Sequence, residues 1–186
     1  YKLNTFIKRM RDNLSYFPSD HIHPLQILEN MNHPMIPKLI SYDNETYTCE
    51  RIEGMPLEKY VQKTRDPAFA LKLMHDINDF MRELTTHTKA FKENDGPLVN
   101  YQLFCDDMHC DNLIITEDGK VYIIDLDQFG FHHPYSIFKF METASQKLNR
   151  SIWGSLIIGE NKHINSLEKK HKRYIVELEK RLLDYV

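Results

Sequence analysis

Between Cys105 and Gly130 the sequence runs CDDMHCDNLIITEDGKVYIIDLDQFG, and its oxygen-bearing side chains fall at two places. Asp106, Asp107, His109, Asp111 and Asn112 precede one short apolar run, and Asp125 and Asp127 follow a second. The runs, Leu113–Ile115 and Val121–Ile124, flank Glu117-Asp118-Gly119-Lys120, where Gly tolerates the positive φ of a tight turn. The spacing therefore predicts a β-hairpin, and an antiparallel hairpin sets its two open ends side by side. Carboxylates gathered in this way repel one another and raise one another's pKa unless a cation offsets them. Carboxylate and amide oxygens with no Cys or His at ligand spacing suit Mg²⁺, which keeps several waters and binds through one or two carboxylates plus substrate phosphates. The expected chemistry is phosphoryl transfer. Any one of these acids reads equally well as a turn cap facing water; the whole pattern does not.

The segment Cys105-Asp106-Asp107-Met108-His109-Cys110-Asp111-Asn112 resembles the His-Gly-Asp-Leu-His-Pro-x-Asn catalytic loop of the aminoglycoside phosphotransferase and choline kinase branch of the protein-kinase-like fold. Ile123-Ile124-Asp125-Leu126-Asp127 resembles that branch's metal-binding Ile-Asp-Phe-Asp segment. The resemblance implies that Asp107 is the catalytic Asp, with His109 bracing the catalytic loop beside it, and that Asn112, Asp125 and Asp127 are the metal ligands. Cys105 stands where the family usually has His, and Asp106 where it usually has Gly.

Several elements must position these groups. Leu3, Phe6 and Ile7 with interleaved polar residues predict a strand over residues 1–10, and Phe6-Ile7-Lys8 resembles the Ala-Ile-Lys strand whose Lys holds the α- and β-phosphates. That resemblance makes Lys8 the expected phosphate clamp, with Lys2 a weaker competitor; on the residues alone, a solvated strand lysine is as good a reading. Ser19-Asp20 offers an N-cap for a helix carrying Leu25, Leu28 and Met31, with Pro24 in its first turn. No acidic residue of that helix falls where a partner for Lys8 is expected; Glu29 sits on the wrong turn. The prolines of Asn32–Ile40 force an extended path into a further strand, and Thr46–Ile52 is a strand in turn. Cys49-Glu50-Arg51-Ile52-Glu53-Gly54 resembles an interlobe hinge, which implies that the backbone of Glu50 and Ile52 bonds adenine. Leu57–Gln62 predicts a short helix, and Pro67 opens a longer one with Phe69, Leu73, Ile77, Phe80, Met81 and Leu84 as its apolar stripe. Met74, His75 and His87 are expected at the surface, and Lys89–Gly96 as a loop. The remaining third is expected to be helical, ending in an amphipathic helix over Ile164–Val186 whose Lys169, Lys170, Lys172 and Arg173 form a solvated face.

With 186 residues, 41% of them hydrophobic, the chain can bury a substantial core, and its net charge of −3 gives no general attraction to nucleic acid or anionic membrane. No run approaches the roughly 18 apolar residues of a spanning helix. Three Cys, two of them inside the chemistry-bearing loop, argue for a reducing compartment, so a cytoplasmic location is expected. Six Gly, none close together, provide no Gly-rich loop, so the small lobe is either missing upstream strands or atypical, and no Ala-Pro-Glu segment follows Asp125. The resemblance thus implies an α+β, protein-kinase-like two-lobed fold: a small β-rich lobe over 1–51 and a helical large lobe over 52–186 that carries the catalytic hairpin. The implied activity is ATP- and Mg²⁺-dependent transfer of a γ-phosphoryl group to a hydroxyl of a small molecule or sugar. An atypical protein Ser/Thr kinase and a pseudokinase that binds nucleotide or a partner are the alternatives.

Overall fold

The computed structural model describes residues 5–9, 22–64, 66–92, 96–137 and 139. The Ser19-Asp20 cap, Lys2 and the Ile164–Val186 helix of the sequence analysis lie outside these residues. Strand β1 (Thr5–Arg9) is followed by helix α1 (Ile22–Met31) and strands β2 (Leu39–Tyr42) and β3 (Thr46–Glu50). The three strands form one antiparallel sheet in the order β1-β3-β2. The turn between β2 and β3 closes on Asp43, whose carboxylate accepts from the amides of Glu45 at 2.8 Å and Thr46 at 2.7 Å. These two backbone bonds hold the Asp43 carboxyl below the usual carboxylate range. Leu25 and Leu28 bury α1 in the core, as their spacing predicts.

Strand β4 (Met55–Pro56) leads into α2 (Leu57–Thr64) and α3 (Pro67–Thr85). Helix α3 starts where the sequence says it should. Asp66 accepts from the amides of Ala68 and Phe69, and Pro67 fills a first-turn position whose amide is not needed. Its stripe of Leu73, Ile77, Phe80, Met81 and Leu84 is the centre of the core. Met74 belongs to it too: it is 1% exposed, not at the surface as expected, because it lies one position from Leu73 on the inward arc. His75 and His87 are half-buried.

The expected loop at Lys89–Gly96 is in part a strand. β5 (Thr88–Lys92) pairs with β6 (Leu98–Cys105), and β6 pairs on its other side with β9 (Phe129–His132). The Lys89 ammonium lies 5.5 Å from the Phe91 ring centre and 5.7 Å from that of Phe131, so a charge that reads as a loop residue packs on two aromatic faces. The expected hairpin is β7 (Leu113–Ile115) and β8 (Val121–Ile123), turned at Gly119 with φ of 81°, and β4 adds to its outer edge. Among the described residues no helix is long and apolar enough to cross a membrane.

Two outcomes follow from this packing. A Cβ on Gly54 would stand 2.4 Å from the Ile115 backbone oxygen and 2.8 Å from Ile114 Cγ2, whereas one on Gly119 meets nothing within 4 Å. Gly54→Ala forces the backbone apart and costs ~1–3 kcal/mol or more, while Gly119→Ala carries only the left-handed backbone penalty of ~1–2 kcal/mol. Denaturant melts of the two variants check the order. Burial pulls the His132 imidazole down to about 4 from its ordinary 6.5. The unfolded chain therefore binds this proton first as pH falls, so the stability contributed by neutral His132 is complete above about 6.5 and lost progressively toward about 4. In a pH series of melts, His132→Gln flattens the acid limb over that window.

Candidate active site

Two antiparallel ladders frame the site. The β7–β8 hairpin aligns Leu113 with Ile123, and the β6–β9 ladder aligns Cys105 with Phe129. The loop 106–112 leaves β6 and enters β7, while 124–128 leaves β8 and enters β9, so both ends of each segment are tied to both ends of the other. Bonds from Ile124 N to Asn112 O at 2.9 Å and from Asp106 N to Gln128 O at 3.4 Å join them directly. This is the side-by-side placement expected of the hairpin's open ends, with a second ladder that the sequence analysis did not include.

Within the first segment, the Asn112 amide nitrogen donates to the Asp107 carbonyl at 3.0 Å, which commits the nitrogen to the loop and leaves the amide oxygen for a ligand. His109 Nδ1 accepts from the Asp111 amide at 3.2 Å, and its Nε2 stands 3.4 Å from Asp107 Oδ1. An imidazole that accepts at Nδ1 carries its proton at Nε2, so His109 presents a donor to the Asp107 carboxylate and braces the loop. Cys105 is fully buried. The Asp107 amide bonds its sulfur, and burial pushes the thiol well above its ordinary range. Cys105 therefore supports the loop as a neutral thiol and not as a nucleophile.

In the second segment Asp125 adopts left-handed backbone angles, φ 64° and ψ 55°, and opens a 3₁₀ turn over Leu126–Gln128. Lys8 of β1 reaches this turn: its Nζ lies 2.6 Å from Asp125 Oδ1 and 2.9 Å from Asp127 Oδ1. The Lys8 and Asp125 side chains are 16% and 19% exposed, and that of Asp127 is 0% exposed. Tyr47, directly opposite Lys8 in the β1–β3 register, accepts from the Leu126 amide at 3.1 Å through its hydroxyl. Burial and the nearby Asp127 push that phenol far up, so it stays protonated. Tyr47 is not among the residues expected from the sequence; its place across the strand pair from Lys8 is the signal that finds it. Glu50 and Ile52 stand apart from these contacts. Glu50 closes β3, its amide bonded to Lys38 O at 2.9 Å, and Ile52 lies in the extended stretch beyond.

No protein-family model matches the chain, and no curated protein matches it in sequence. Among solved structures it is similar to a divergent kinase of Toxoplasma that lacks the glycine-rich loop and regulates membrane ultrastructure of the parasitophorous vacuole, with a TM-score of 0.57, 13% identity, and coverage of 93% of this chain and 61% of that one. It also matches the Cydia pomonella granulovirus kinase PK-1, at a TM-score of 0.49 and 13% identity over 68% of this chain and 43% of that one. The fold is protein-kinase-like. The chain spans less than two thirds of either kinase's length. Within this fold Lys8 lies on β1, the 106–112 loop follows β6, and the 3₁₀ turn follows β8.

Among the described residues no three His, Cys, Asp or Glu side chains are close enough to form a metal cage. The Asp125 carboxylate and the Asn112 amide oxygen are donors that fit Mg²⁺, which binds through one or two carboxylates and takes its remaining ligands from water and phosphate. The Tyr47 contact gives the prediction here. Tyr47→Phe leaves the buried Leu126 amide without an acceptor and costs ~1–3 kcal/mol. Hydrogen exchange at Leu126 should accelerate with it, and an unchanged melt would remove Tyr47 from the support of the turn.

Proposed function

We propose that the chain is an ATP- and Mg²⁺-dependent phosphotransferase that moves a γ-phosphoryl group onto a hydroxyl of a small molecule or sugar. Its small lobe covers 1–51 and its large lobe 52–186. The observation that carries this reading is the convergence of Lys8 on Asp125 and Asp127, beside the segment that holds Asp107, His109 and Asn112. A cation that neutralises phosphate, acids that take a divalent ion and a loop carboxylate near both are the parts phosphoryl transfer requires, because this chemistry rests on positioning and charge neutralisation. Asn112 and Asp125 would hold Mg²⁺, which when bound supplies charge neutralisation at the phosphates. The Glu50 amide is already spent on Lys38, so the hinge would offer the purine edge the Glu50 carbonyl and the Ile52 backbone.

Asp107 orients the acceptor hydroxyl and takes its proton, while His109 Nε2 and the Asn112 amide keep the carboxylate and its backbone in place. The small-molecule acceptor rests on the resemblance of the Asp107–Asn112 loop to the aminoglycoside phosphotransferase and choline kinase branch. A second reading, a nucleotide-binding pseudokinase, is favoured by one observation: Glu29, the acidic residue of α1, is bonded to Tyr42 and not to Lys8.

Two substitutions separate the readings. Asp125→Ala should abolish both the Mg²⁺-dependent thermal stabilisation by ATP and phosphoryl transfer. Asp107→Asn should keep the stabilisation and lose ~10²–10⁴-fold in turnover, followed by mass spectrometry of the acceptor. Equal stabilisation by ATP with Mg²⁺ and with chelator would overturn the metal assignment, and full activity in Asp107→Asn would overturn the catalytic one.

A further inference from the structure

Asp127 offers more than the metal-ligand role expected from its sequence position, and the inference drawn from it rests on the phosphotransferase reading for its functional meaning. Helix α1 carries one acidic residue, Glu29. It is exposed, and its carboxylate accepts from the Tyr42 hydroxyl at 2.7 Å. Tyr42, Tyr47 and Lys8 stand opposite one another across β2, β3 and β1. Tyr42 is therefore two inter-strand spacings, about 10 Å, from Lys8. Glu29 is held at the far edge of the sheet, by β2. Lys8 meets two carboxylates instead, and they differ: Asp125 retains some exposure and sits in the strained left-handed conformation, whereas the Asp127 side chain is fully buried against the ammonium.

We infer that Asp127 is the positioning residue for Lys8, taking the role of a helix-borne glutamate, and that Asp125 alone of the pair is left to a metal ion. The physical case lies in the burial. A fully buried carboxylate loses its hydration, and a fixed counter-charge 2.9 Å away offsets much of that cost, so burial favours Asp127 keeping Lys8 in place. Asp125, partly open to solvent, can exchange the ammonium for another cation without that penalty. The arrangement also fixes distance. Lys8 and the metal-binding carboxylate are referenced to one short turn, one residue to either side of Leu126, which Tyr47 clamps. The ammonium thus keeps its place while Asp125 changes partner.

The test measures how tightly Lys8 is held, in the protein without nucleotide, by its rate of acylation with an N-hydroxysuccinimide ester resolved by mass spectrometry. Asp127→Asn should release the side chain and raise that rate several-fold, and Glu29→Gln should leave it unchanged. A wild-type rate in Asp127→Asn, or a rise in Glu29→Gln, would overturn the assignment. Should Asp127→Asn fold poorly, a stability cycle answers the same question. Lys8→Met lowers the melting temperature by removing a counter-charge from buried Asp127, and adding Asp127→Leu should restore part of the loss. Losses that simply sum would count against the pair. Neither readout needs phosphoryl transfer, so both stand if that reading fails. If it holds, Lys8→Met and Asp127→Asn each weaken Mg-ATP binding, and together they weaken it no further.

Discussion

The grip of one strand pair on one turn organises the molecule. Lys8 and Tyr47 are neighbours across β1 and β3, and they hold the turn at Leu126–Gln128 by two different interactions. Tyr47 satisfies the Leu126 amide, and Lys8 binds the carboxylates on either side of it. Removing the Tyr47 hydroxyl deprives the buried Leu126 amide of its acceptor, and removing Lys8 takes a counter-charge from buried Asp127; both losses are costly inside a protein. A further tie to the hairpin is the bond from Ile123 N to Met35 O at 2.8 Å, which seats β8 against the extended segment after α1.

The parts legible in the sequence were those specified by local spacing. The hairpin needed only two apolar runs and a Gly at φ 81°, and α3 needed Pro67 and an apolar stripe with a 3.6-residue period. Strand β1 and the convergence of the two acidic segments were legible for the same reason. The sheet of β5, β6 and β9 was not, because Lys89 and Lys92 look solvated until the rings of Phe91 and Phe131 are seen beneath Lys89. Nor was the partner of Lys8. A helix register points to α1 for it, but it comes from a turn more than a hundred residues away, placed by the β7–β8 and β6–β9 ladders together.

The site is also where local preference is overridden. A non-glycine residue at φ 64° is uncommon, and Asp125 holds that conformation between a buried ladder and a 3₁₀ turn whose Leu126 and Gln128 amides are bonded. Asp is among the residues that tolerate it best. The backbone strain falls at the residue proposed to face the metal, while its neighbours Leu126 and Asp127 are buried and fully constrained.

Helix α1 is thereby left with a mechanical role. Its Leu25 and Leu28 are wedged in the core, and its carboxylate is occupied by a tyrosine on the far strand. In kinases where a helix glutamate holds the lysine, moving that helix switches the charge environment of the phosphates. Displacing α1 in this chain would disturb packing before it disturbed any charge near Lys8. Leverage on the charge at Lys8 lies instead at the turn that Tyr47 and Lys8 share.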